Sequence, residues 1–152
     1  MHISWSFLDK RKAAISAIEA FSSMDFIVKH TDEEIRSVRD KMAGVGSPNL
    51  DGMPHAHNPQ AGEERIINGI EEIDTIKERY RQAVEYMNWF KPAWKQLSED
   101  ERYVLEAFYM DSEDCDGPAM RVADHFGIER SSAYNRKNRA LEHITMLLYG
   151  KT

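Results

Sequence analysis

Apolar residues recur every seven positions through the first two-thirds of the chain. The first run comprises Phe7, Ala14, Phe21, Val28, Ile35 and Met42. The second comprises Ile66, Ile73, Tyr80, Met87 and Trp94, and it is widened by Ile70, Ile76, Val84 and Phe90. A seven-residue apolar repeat is typical of long helices that pack along a coiled-coil-like seam. The two runs predict a long antiparallel helical hairpin over residues 1–96, with each helix roughly 50 Å long.

The segment between the two runs is rich in helix breakers. Its glycines and prolines include Gly44, Gly46, Pro48, Gly52, Pro54 and Pro59. Such a composition predicts a loop over residues 44–62, and its length is typical of a functional or mobile connection rather than a tight turn.

Two further signals bear on the continuity of the long helices. Thr31 and Glu34 have the spacing of a capping box, which suggests a break or a small kink near His30. Pro92 lies in the aromatic cluster Trp89–Trp94, and its missing N–H group predicts a kink or an end of the second helix, with a possible hinge there.

The last third of the chain has the pattern of three shorter helices. Ser98 and Glu101 form a capping-box pair at the start of one helix, and an acidic loop over residues 111–118 follows it. Ala123 lies four residues before Gly127, so a small side chain and a turn glycine stand where two helices would cross closely. These features predict an all-α chain that ends in a three-helix helix-turn-helix unit over residues 97–152.

The last helix of that unit combines an apolar stripe with a polar, basic face. The stripe contains Ala133, Ala140, Ile144 and Leu148. The opposite side carries Ser131, Ser132, Asn135, Asn138 and Arg139. From Arg130 to Arg139 there are four Lys or Arg residues and no Asp or Glu, in a chain whose net charge is −6. Hydrogen-bonding groups and positive charge on one helix favour contact with nucleic acid.

These residues resemble region 4 of bacterial sigma-70 factors and the phage late-operon regulators built on it, of the ArpU and RinA types. The pattern spans residues 97–148 and consists of Leu97-Ser98 with Glu101-Arg102, Phe126-Gly127-Ile128-Glu129-Arg130, and Arg139-Ala140-Leu141. The resemblance implies a recognition helix over about 129–148 in the DNA major groove. It implies DNA contacts from Arg130, Ser131, Ser132, Asn135, Arg136 and Arg139.

The chain departs from that family pattern at three positions. Arg136 stands where an apolar residue is usual, and Glu129 stands where a Ser or Thr N-cap is common. Lys137 falls inside the apolar arc, so its aliphatic stem is expected to run along the edge of the core. These departures suggest a recognition helix that is rotated somewhat from the sigma arrangement.

Composition and charge argue against several classes of function. Residues 97–118 carry eight acids and one base, whereas residues 119–152 carry six bases and three acids, so only one surface suits DNA. The single cysteine suits a reducing cytoplasm, and no signal-like or membrane-spanning run is present. Asp51, His55 and His57 are too few for a metal site, and Cys115 has no catalytic partner motif. We therefore expect a cytoplasmic protein that is not an enzyme and binds no cofactor or metal.

The resulting hypothesis is a phage or prophage transcription regulator that binds double-stranded DNA. Its helical arm would mediate homodimerisation or contact RNA polymerase, because the small basic surface implies weak binding alone. A phage DNA-packaging protein of the small-terminase type is one alternative, although its usual order of domains is the reverse. A protein-interaction factor that acts on RNA polymerase without reading DNA is the other.

Overall fold

The computed structural model describes residues 9–44, 60–111 and 117–150, and these ranges contain α-helices and no strand. The helices are α1 (Lys10–Met42), α2 (Ala61–Gln96), α3 (Glu99–Tyr109), α4 (Pro118–Phe126) and α5 (Arg130–Tyr149). The predicted all-α class is therefore confirmed for the described residues. Most of the predicted loop 44–62 lies outside them, and Gly62 belongs to the first turn of α2.

The chain forms two compact units. The middle unit comprises residues 25–84, and the terminal unit comprises residues 1–24 together with residues 85–152. The boundary predicted between residues 96 and 97 thus falls within the terminal unit. The physical reason is that the first turns of α1 and the last turns of α2 share one apolar core with α3 and α5.

In the middle unit, α1 packs against α2 through a small aliphatic core. Val38 is buried with Ile73 and Ile76, and Glu34 forms an ion pair with Arg79 at 2.5 Å. Residue numbers rise on α1 as they fall on α2, so the two segments run in opposite directions. The ion pair is exposed and contributes at most about 1 kcal/mol, so burial of the aliphatic side chains is the main stabilising term.

Helix α1 continues without a break through the position where one was suggested. The Thr31 hydroxyl donates to the Ile27 carbonyl at 2.6 Å, and the side chain is buried. The His30 ring nitrogen Nδ1 lies 3.0 Å from the Phe26 carbonyl oxygen. Thr31 therefore bonds to the preceding turn of its own helix and does not cap a new one.

Helix α2 passes through Pro92 and ends only at Gln96, so of the predicted kink or end the helix end was wrong, and the kink stays a prediction. Pro92 is exposed. Its missing N–H group frees the carbonyl of Asn88, which is also exposed and can be solvated. The helix continues because Phe90, Ala93 and Leu97 on its other side are buried in the terminal unit.

The terminal unit is organised around an apolar core to which four helices and the α2–α3 junction contribute. Its buried members are Ala14, Ala17, Ile18, Phe90, Ala93, Leu97, Leu105, Ala140, Leu141, Ile144 and Leu148. Phe90 is fully buried, and its ring lies 5.3–5.7 Å from the rings of Phe21, Tyr86 and Trp94. The predicted aromatic cluster thus extends to α1 and anchors α5 on one side.

Candidate nucleic-acid interface

Helix α3 begins with the predicted capping box, which the geometry confirms. The Ser98 side chain accepts a hydrogen bond from the Glu101 amide at 3.2 Å, and the Ser98 amide donates to Glu101 Oε2 at 2.9 Å. His143 of α5 joins this cap, because its Nδ1 atom lies 2.9 Å from Glu101 Oε1. The cap of α3 therefore also fixes α5 one turn beyond its basic half.

The same hydrogen bonds determine the ionisation of Glu101. Burial acts to raise the pKa of this carboxyl, but hydrogen bonds from Ser98 and His143 outweigh burial, so its pKa lies below the ordinary value of 4.5. Glu101 is thus held as a carboxylate over a wider pH range than a free side chain. The charge lies beside His143, one turn beyond Arg139 on α5.

The turn between α4 and α5 depends on Gly127. Its backbone is left-handed, with φ 62° and ψ 41°, and this conformation lets the Ile128 amide reach back to the Ala123 carbonyl at 2.9 Å. This is the hydrogen-bond pattern of a Schellman motif. Ala123 of α4 and Ala133 of α5 are both buried in one apolar cluster.

Helix α5 is held by two cores and leaves one broad face exposed. Ala133 packs with Val104 of α3 and Val122 of α4, while Leu141 and Ile144 pack in the core that contains Phe90. Its N-cap residue, Glu129, makes no side-chain cap hydrogen bond. Packing therefore sets which side chains of α5 face outward, although the first turn has no side-chain cap.

Five of the six predicted contact residues share that outward face. At 100° per residue they span an arc of about 140°. They are Ser131, Ser132, Asn135, Arg136 and Arg139. Ser131, Asn135 and Arg139 are exposed, whereas Ser132 and Arg136 are partly buried.

Arg130 is separated from this face. It is exposed, but it lies about 100° around the helix from Ser131 and within about 20° of Lys137. Arg130 therefore lies on the side of α5 whose later turns are buried in the apolar cores, and it is exposed only because it stands at the start of the helix. The helix does not bring it together with the other five residues.

Two cations of α5, Arg136 and Lys137, lie over aromatic rings. The Arg136 guanidinium carbon lies 4.3 Å from the centre of the Phe126 ring, and Lys137 Nζ lies 5.2 Å from the rings of Phe108 and Tyr134. Cation–π contacts at this range contribute roughly 0.5–1 kcal/mol each when exposed. They explain how Arg136 fits at a position where the family pattern has an apolar residue.

One polar contact of α5 could not have been read from any motif. Arg11, in the first turn of α1, donates from Nη2 to Asn138 Oδ1 at 2.8 Å. The two residues are 127 positions apart, so no local pattern links them. The only sequence signal was the run of three cations Lys10-Arg11-Lys12 at the start of the helix.

The remaining candidate sites lie in segments without described coordinates. Asp51, His55, His57 and Cys115 all fall outside the described residues. Within the described ranges, no three His, Cys, Asp or Glu side chains come together as metal ligands. None of the described helices has the length and apolarity needed to cross a bilayer.

We found no protein-family model, curated protein or solved structure that matches this chain.

Proposed function

We propose that the chain is a sequence-specific transcription regulator of phage or prophage origin that binds double-stranded DNA in the cytoplasm. In this proposal α4, the Gly127 turn and α5 form a helix-turn-helix, α3 supports it, and α5 enters the major groove. The segments of α1 and α2 form the two arms of a helical hairpin. The proposal follows the resemblance to phage late-operon regulators.

The observation that carries the proposal is the outward face of α5. Ser131, Asn135 and Arg139 follow one another at intervals of four residues, are exposed, and stand on a helix whose other side is fixed by two apolar cores. Serine, asparagine and arginine side chains hydrogen-bond base edges and phosphates. Packing would fix the helix that carries them, so only their side chains would be ordered on binding.

The test begins with selection of bound duplexes from a random oligonucleotide pool at low and moderate salt. We expect a recovered motif and a loss of preference for it in the variant Ser131→Ala/Asn135→Ala/Arg139→Ala. Glu142→Ala/Met146→Ala is the matched control, because these residues are exposed on the same helix but beyond its basic half. A triple variant that selects the same motif with unchanged affinity would eliminate α5 as the reading helix.

A second function, protein interaction through the hairpin, is favoured by an exposed aliphatic patch on α2. Ile66, Ile67 and Ile70 are 46%, 55% and 50% exposed. Apolar side chains grouped in this way are typical of a contact surface. We propose that this patch serves homodimerisation or contact with RNA polymerase.

Sedimentation of the purified chain separates the possibilities for the patch. A dimer that dissociates in the variant Ile66→Ser/Ile70→Ser would support self-association. A monomer that binds no duplex but binds RNA polymerase would replace the DNA-reading proposal with the interaction factor. A ring of many subunits would favour the packaging protein instead.

A further inference from the structure

We propose that the first turn of α1, with Lys10, Arg11 and Lys12, is a second DNA contact that grips the phosphate backbone beside the base pairs read by α5. This inference rests on the proposed DNA-binding function and adds to it a surface from outside the helix-turn-helix. The partner is the sugar-phosphate backbone of the same duplex.

The location of this turn is fixed by contacts on both its polar and apolar sides. Arg11 donates to Asn138, the residue next to Arg139 on α5, at 2.8 Å. One turn later, Ala14 and Ile18 are fully buried in the core that also contains Leu141. The backbone of the turn is therefore held against α5, so only its side chains, and no chain segment, would be ordered when DNA binds.

Arg11 lies at the edge of the polar face of α5. At 100° per residue, Asn138 is about 20° from Ser131 and about 60° from Asn135 around the helix. Its amide oxygen accepts from Arg11, so Asn138 helps to position α1. Because the amide is neutral, the positive charge of the guanidinium is not cancelled by this bond, and its other N–H groups can serve a phosphate.

Residues 9–12 carry three cations and one carboxylate, Asp9. The ion pair between Lys12 and Asp9 is 3.7 Å long, and the two side chains are 84% and 55% exposed. Such a pair is weak and is screened by salt. The surplus adds to the four cations of residues 130–139. In a chain of net charge −6, two basic segments from opposite ends of the sequence thus meet in one unit.

Contacts to phosphate and contacts to bases have different signatures, which makes the proposal testable. Phosphate contacts position a protein without reading sequence, and each one contributes about 0.9 to the slope of log binding constant against log salt concentration. We expect Lys10→Gln/Arg11→Gln/Lys12→Gln to lower this slope by about 2 to 3. Affinity for the selected and for an unrelated duplex should fall by a similar factor, on the order of tenfold or more at 0.1 M salt.

The matched control removes the same charge from the same helix within the middle unit. The variant Arg36→Gln/Arg39→Gln/Lys41→Gln changes three exposed cations of α1 and should keep the wild-type slope to within about one contact. If both triple variants lower the slope equally, the effect depends only on net charge, and the proposal is overturned. A wild-type slope in the first variant would overturn it as well.

A third variant separates loss of contact from loss of structure. Lys10→Gln/Lys12→Gln keeps the bond between Arg11 and Asn138, so it should unfold like the wild type and still lower the slope by about 2. If it binds as the wild type does, the first turn of α1 does not touch DNA. If the wild-type protein itself binds no duplex, the proposed function fails first, and this inference fails with it.

Discussion

Gly127 sets the angle between α4 and α5 through a backbone conformation that other residues adopt at a cost. A Cβ atom added at this position would meet no other atom within 4 Å, so the cost of a side chain there is conformational rather than steric crowding by neighbours. We expect Gly127→Ala to lower the free energy of unfolding by about 1 kcal/mol. Gly127→Asn should lower it less, because asparagine tolerates the left-handed region. Urea unfolding of the two variants measures the difference, and equal stabilities of alanine, asparagine and glycine would contradict the assignment.

Glu101 ties the cap of α3 to α5 and makes a pH-dependent contribution to stability. Its pKa is lowered in the folded protein, so its stabilising effect is complete above its unfolded pKa, near 4.5, and is lost as the pH falls through the lower folded value. We expect Glu101→Gln to cost up to about 1 kcal/mol at pH 7 and progressively less below pH 4.5, because glutamine keeps the capping-box oxygen but loses the negative charge at the start of the helix.

Glu99→Gln is the control for that prediction. Glu99 lies in the same first turn and carries the same charge, but the substitution leaves the hydrogen bonds of Ser98 and His143 to Glu101 intact. Denaturant unfolding at several pH values from 7 to 3 compares the two variants. A loss for Glu101→Gln that stays constant over this range would show that its ionised form is not the stabilising one.

At the scale of the helices, the sequence contains two interleaved heptad positions, of which only one was visible as a repeat. Ala14, Phe21, Val28, Ile35 and Met42 form the predicted set in α1. The second set is Ala17, Met24, Thr31 and Val38, and it includes the buried Ala17, Thr31 and Val38. Helix α2 has a similar set, in which the buried Gly69 and Ala83 alternate with Ile76 and Phe90. Of this set only Ile76 and Phe90 were recognised from the sequence, because Gly69 and Ala83 are small and gave no hydrophobic signal.

Gly69 shows how such a position acts within α2. It is buried, and a Cβ atom added there would overlap the Met42 side chain at Cγ and Sδ. We expect Gly69→Ala to be destabilising or neutral, although alanine normally stabilises a helix interior by about 1 kcal/mol relative to glycine. Gly62→Ala, in the same helix with no atom within 4 Å, should be neutral or stabilising. Thermal unfolding of the two variants tests this order, and a larger gain for Gly69→Ala would contradict the contact.

The face of α5 was the part of the candidate site that sequence periodicity could predict. Ser131, Asn135 and Arg139 follow from a helical wheel once the apolar stripe is identified. Arg130 was included because of the family pattern, and helical geometry places it elsewhere. The contact of Arg11 with Asn138 was out of reach, since it depends on how distant segments pack and not on any local spacing.

At the scale of the whole molecule, residues 97–152 do not contain all of the core in which they pack. Leu105, Leu141 and Ile144 share their core with Ala14, Ile18 and Phe90, which lie before residue 97. The boundary predicted at residues 96/97 was placed where the heptad pattern ends. A heptad pattern shows which face of a helix is apolar, but it does not show which helices pack together in one core. Cooperative packing therefore links both ends of the chain.

A fragment of residues 97–152 should consequently fail to fold as a stable unit. Without α1 and α2 it would expose the apolar faces of α3 and α5 that pack around Phe90. In the full chain, Phe90→Ala should cost about 3–5 kcal/mol, because the side chain is completely buried. Circular dichroism during urea titration measures both. A fragment with a cooperative transition like that of the full chain would show that residues 97–152 fold without the rest of the chain.

The contact between Arg11 and Asn138 also bears on how the protein is made. The terminal unit unites residues near the start of the sequence with the last turns of α5, so its core cannot close until Leu148 has been synthesised. Residues 10–24 must therefore leave the ribosome well before the segments that cover them. A chain interrupted in α5 would leave those early residues exposed, so the surface that α1 and α5 share first exists once α5 has been made.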